Sequence, residues 1–151
     1  MRKRPVIQIG PNHRRGIGTT LTFLDEAVSE FEEWAEGRER ISVLYRERNT
    51  LSPRQRRAVL SEVTRVRRLL RDLQDRLGLT PRTQDAVQAI WGRGSALREH
   101  IVELEAKHLR RYGKVNPDLA AYLDPRVEEL LGCIDDILTI VNPPTPTTDS
   151  E

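Results

Sequence analysis

Apolar residues in this chain recur three and four positions apart over long stretches with polar residues between them, the period of helices that bury one face. The first stripe, Leu24, Ala27, Val28, Phe31, Trp34, Ala35, Ile41 and Tyr45, predicts a helix from Thr20 to Arg48, interrupted midway at Gly37 and Arg38. The second is the cleanest: Val59, Val63, Val66, Leu70, Leu73 and Leu77 alternate by four and three. It is preceded by Ser52, Pro53 and Gln55 in the spacing of a capping box and followed by Gly78 as a stop, with Leu79 placed to fold back. The third stripe, Val87, Ile90, Leu97, Ile101 and Leu104, shares its face with Gly94 and His108. Thr80-Pro81 reads as its start and Gly113 as its end, which predicts one rod of roughly 45 Å. Within it Gly92 and Gly94 each cost about 1 kcal/mol relative to Ala, so either a neighbour comes too close for a side chain or the rod kinks there. The fourth begins with a short piece at Asn116-Pro117 carrying Leu119, Tyr122 and Leu123. It restarts at Asp124-Pro125 and continues through Val127, Leu130, Leu131, Ile134, Ile137, Leu138 and Val141.

Four amphipathic segments joined by short turns predict an all-α fold, an antiparallel up-down-up-down four-helix bundle spanning residues 20–141. Residues 1–19 carry Arg2, Lys3, Arg4, Arg14 and Arg15 against no acid and are broken by Pro5, Gly10, Pro11, Gly16 and Gly18. They read as a flexible basic N-terminal arm. Residues 142–151, NPPTPTTDSE, read as a disordered Pro/Thr tail.

Composition supports helices over a sandwich or barrel: of 151 residues 37% are apolar and 32% charged, and only seven are aromatic, counting two Trp, three Tyr and two Phe. The lone Cys133 makes no internal disulfide and points to a reducing, cytoplasmic setting. No stretch has the length and apolarity of a signal peptide core or a membrane span, so no membrane partner is expected.

Charge changes the picture more. The net charge of +2 conceals sorting by segment. From Asp25 to Arg48 eight acids oppose four Arg, −4; from Ser52 to Leu77 eight Arg oppose three acids, +5. The third segment has six bases and four acids, +2, and from Pro117 to Asn142 Arg126 stands alone against six acids, −5. In an up-down bundle this puts helices two and three on a basic side and helices four and one on an acidic side. Two partners fit a basic side: an acidic protein surface, including another copy of the chain, or a nucleic-acid backbone gripped without sequence reading. The candidate binding residues are Arg57, Arg65, Arg68 and Arg71 on the second helix and Arg110 and Arg111 at the end of the third.

Candidate chemistry is sparse. Glu105-Ala106-Lys107-His108 has the Glu-x-x-His spacing of carboxylate-bridged di-metal bundles, but no second such motif accompanies it, and no metal or cofactor is expected. Gly16-Ile17-Gly18 lacks both the preceding strand and the Lys of a phosphate loop. Arg93 and His100, six residues between them, resemble the Arg-x4-6-His motif of HEPN-type ribonucleases, themselves helical bundles. The resemblance implies Arg93 as a phosphate clamp and His100 as acid or base at a dimer interface, and this chain departs from the motif with Gly94 where a polar residue is usual. The expectation drawn from the sequence is a non-catalytic interaction or assembly module, with nucleic-acid binding and the ribonuclease as alternatives.

Overall fold

The computed structural model describes residues 4–141. All regular structure among them is helical: α1 (Pro11–Ala35), α2 (Pro53–Leu77), α3 (Ala86–Val102), the single turn α4 (Ala106–Leu109), a 3-10 turn (Arg110–Tyr112) and α5 (Pro117–Val141). The sole strand-like pairing among the described residues is an isolated antiparallel bridge between Ile41 and Arg46. No described helix is long and apolar enough to cross a membrane. The chain divides after Arg82 into two compact units, α1 with α2 and α3 with α4 and α5. The predicted Pro/Thr tail lies outside the described residues.

The first helix is displaced from its predicted span. It begins at Pro11, where Gly10 is the extended N-cap and proline occupies the one helical position that needs no N–H, so Arg14 and Arg15 of the predicted arm are helical. It ends at Ala35, because Gly37 turns left-handed at φ 88°. A side chain there would be strained, and its Cβ would meet Arg56 Nη1 at 2.7 Å. Ile41 and Tyr45 keep the helical spacing by coincidence and belong to the loop that follows.

The second helix follows its sequence closely. Ser52 accepts from the Gln55 N–H at 3.1 Å while Gln55 Oε1 accepts from the Ser52 N–H at 2.9 Å, closing the capping box. Gly78 closes the other end at φ 60°, and the Leu79 N–H returns to the Gln74 carbonyl at 3.1 Å. α1 and α2 run antiparallel: Arg14 Nη1 donates to the carbonyls of Leu77 and Gly78 at one end, and Arg67 pairs with Glu32 nearer the other. The Ile7 N–H donates to the Arg76 carbonyl at 2.7 Å, so the extended segment before α1 is tied to α2.

The single rod predicted from Thr80 to Tyr112 is several pieces. α3 starts at Ala86, capped by Asp85, which accepts from the Gln88 N–H at 2.9 Å. It stops at Val102, and the chain turns before α4. The physical reason lies on α5: Asp124 Oδ1 takes the Ala106 N–H at 2.9 Å, a donor that a continuous helix would have spent on its own backbone. Asp124-Pro125 restarts nothing, since α5 runs through Pro125 without a break, and Asn116 supplies its start by accepting from the Asp118 N–H at 2.9 Å. Gly94 is the close approach: a Cβ there would sit 2.7 Å from Leu138 Cδ2, whereas Gly92 faces open space. α3 is one helix through both glycines.

Each unit has a small core. Val28, Ala35 and Val63 are buried in the first, Ala106, Val127 and Leu138 in the second.

Candidate functional site

The six arginines singled out by sequence fall in both units. Arg57, Arg65, Arg68 and Arg71 are exposed on α2; Arg110 and Arg111 are exposed in the 3-10 turn. Counted at 3.6 residues per turn from the buried Val63, Arg57, Arg65 and Arg68 point away from α1. Arg57 and Arg68 have no ion pair among the described residues, and Arg65 reaches Glu62 only at 3.7 Å. Arg71 turns toward a groove of about 450 Å³ in the first unit, beside Asp25, Glu26 and Arg67. Arg111 is engaged, donating to Glu103 Oε2 at 2.7 Å and lying 3.1 Å from His108 Nδ1. The basic strip that the structure displays is therefore that of α2. Arg93 and His100 both lie on α3, exposed, two turns apart on nearly one face.

Within each unit an ion pair marks one edge of the helix pair and exposed apolar side chains mark the other. Arg67 bridges to Glu32 between α2 and α1, which holds the Glu32 carboxyl below the usual carboxylate range and raises Arg67. Arg98 bridges to Asp135 at 2.8 Å between α3 and α5, raising Arg98. By helical angle, Leu24 and Phe31 fall on the other side of Val28 from Glu32, and Leu73 on the other side of Val63 from Arg67. In the second unit Ile90 and Leu97 lie across Gly94 from Arg98, and Leu130 and Ile137 across Leu138 from Asp135. All seven of these apolar residues are exposed. Each helix pair, taken by itself, thus has an ion-paired edge and an apolar edge.

The feature that the sequence did not reveal is residues 36–52. Trp34 Nε1 donates to Glu47 Oε2 at 2.8 Å, and the other oxygen of the same carboxylate accepts from the Arg40 N–H at 2.9 Å. The Glu47 N–H returns to the Arg40 carbonyl and the Ser42 N–H to the Tyr45 carbonyl, each at 2.8 Å, so 40–47 is a tight two-armed turn. Asn49 locks its base, donating through Nδ2 to the carbonyls of Trp34 at 2.6 Å and Arg38 at 3.1 Å, and its N–H goes to Glu39 Oε2 at 2.7 Å. The tip carries Val43, 89% exposed, and Leu44, 99% exposed, flanked by exposed Ile41 and Tyr45. Gly37 after Glu36 was the available signal, since a glycine inside a helical stripe marks a stop as readily as an interruption.

In the second unit, where α4 meets α5, a hollow of about 380 Å³ is lined by Glu105, Asp124, Glu128, Pro125, Val127 and Leu131. Asp124 serves the α4 backbone and Glu105 pairs with Lys107 at 3.5 Å, while Glu128 has no ion pair among the described residues.

No known protein family, curated protein or solved structure matches this chain.

Proposed function

We propose that the chain works without catalysis as an interaction and assembly module whose basic surface, Arg57, Arg65, Arg68 and Arg71 of α2 with Arg110 and Arg111, meets an acidic protein surface or another copy of itself. The observation that carries the reading is the outer face of α2: exposed guanidinium groups with no carboxylate to neutralise Arg57 and Arg68 among the described residues. Arginine suits such a contact because its planar fork binds carboxylate with two parallel hydrogen bonds. The antiparallel up-down-up-down four-helix bundle belongs to the same proposal, as the arrangement in which open apolar sides of helix pairs are covered. A reducing, cytoplasmic setting goes with it and suits the lone exposed Cys133.

The test replaces Arg65, Arg68 and Arg71 together by Gln and compares what the wild type and the variant retain from an extract of the native source. Partners retained only by the wild type, with helicity and melting unchanged, support the reading; identical retention ends it. The nucleic-acid alternative is tested on the same pair of proteins with duplex DNA and RNA, where phosphate contacts produce a steep dependence of log affinity on log salt. A ribonuclease would lose RNA cleavage on His100→Ala.

A further inference from the structure

We propose that the 40–47 turn of one copy docks in the hollow between α4 and α5 of a second copy, with Leu44 as the knob and Arg46 and Arg48 facing the carboxylates around the hole. The inference rests on the assembly reading above, names the partner as a second copy, and places the contact away from the α2 strip.

The turn is built to keep its shape. The two oxygens of Glu47 and three hydrogen bonds from Asn49 hold it from inside, as described above, so little is left to be ordered on docking. What it holds out is apolar: Val43 and Leu44 are 89% and 99% exposed and contribute next to nothing to the fold in that position. The charge beside them is one-sided. Glu39 and Glu47 are turned inward onto backbone and indole N–H groups, while Arg46 and Arg48 are exposed with no ion pair among the described residues.

The hollow has the opposite character. Pro125, Val127 and Leu131 line it together with the carboxylate-bearing Glu105, Asp124 and Glu128, and its volume of about 380 Å³ takes a leucine side chain. Glu128 is the carboxylate left for an incoming guanidinium. A tip with two unpaired arginines beside it and a hollow lined by three acids are complementary in sign. Knob and hole are different surfaces of one chain, so every copy offers one of each to a second copy.

Sedimentation of the full chain tests this directly. The wild type gains mass with concentration, and raised salt shifts the curve to higher concentration. Leu44→Asp and Glu128→Arg each weaken association by tenfold or more, with unchanged circular dichroism. The decisive arm mixes these two variants: one keeps its hole and the other its knob, so together they form a one-to-one dimer and nothing larger. The Arg65, Arg68 and Arg71 triple variant still self-associates, which separates this contact from the α2 strip. A wild type that stays monomeric, single variants that associate as it does, a mixture that makes no dimer, or Leu44→Asp lowering the melting temperature of a monomer would each overturn the proposal.

Discussion

The indole N–H of Trp34 donates to Glu47 at 2.8 Å, tying the last turn of α1 to a loop residue thirteen positions on. Because the second oxygen of that carboxylate takes the Arg40 N–H, one side chain fixes both arms of the 40–47 turn. Glu47→Ala removes both acceptors at once. The expected outcome is faster amide hydrogen exchange at Arg40 and its neighbours in the turn, with α2 amides unchanged. Protection that survives the substitution would mean that the Asn49 base alone holds the turn.

The same carboxylate sets a pH dependence. Glu47 is held below the ordinary glutamate value chiefly by the backbone N–H of Arg40, with the Trp34 indole adding to it. A lowered folded value means that the carboxylate's stabilisation is complete above the unfolded glutamate value of about 4.3 and is lost as pH falls through the folded one. Trp34 emission, read with Trp91 replaced by Phe, should stay level from about pH 7 to 5 and change only below that. The Glu47→Gln protein should lack that transition, and a transition that persists in it assigns the change to another acid.

Gly94 and Leu138 form a tight pair, so enlarging one is costly only while the other is large. Gly94→Ala should destabilise the protein by about 1–3 kcal/mol through overpacking, in spite of the helix propensity that alanine adds. Combined with Leu138→Ala, it should cost less than the two single changes summed. Gly92→Ala, in open space, should stabilise by roughly 0.5–1 kcal/mol. Denaturant titration of the four variants checks all three statements, and additivity of Gly94→Ala and Leu138→Ala would remove the contact from consideration.

Pro125 sits inside α5 without an N–H, leaving the Ala121 carbonyl without its helical donor. Pro125→Ala restores that hydrogen bond and should raise the melting temperature, by up to about 3 kcal/mol of stability. A fall would show that the ring packs in the hollow it lines.

How much of this was legible depends on whether the deciding interaction lies next to the residue in sequence. The α2 boundaries were, because Ser52, Pro53, Gln55 and Gly78 are their own start and stop signals. The all-helical class followed from the apolar period. The break after Val102 was not, since the group that captures the Ala106 N–H is eighteen residues away on Asp124. The 40–47 turn hid for a different reason: its tip is Val43-Leu44, without the Gly, Asn or Asp that normally announces a two-residue turn, and its apolar residues kept a helix's spacing. The arginines were identifiable as a basic run, but that Arg111 is engaged with Glu103 and that Arg71 turns toward a groove are facts of tertiary placement.

The division after Arg82 bears on how the chain comes into being. During synthesis the first unit has all its own residues in hand before the second has emerged, and its helices are joined by one short connection, residues 36–52. Closing so short a span is fast. A first unit whose contacts are all its own needs nothing from residues 83–141 to form them, and it carries the exposed Val43-Leu44 tip from the outset.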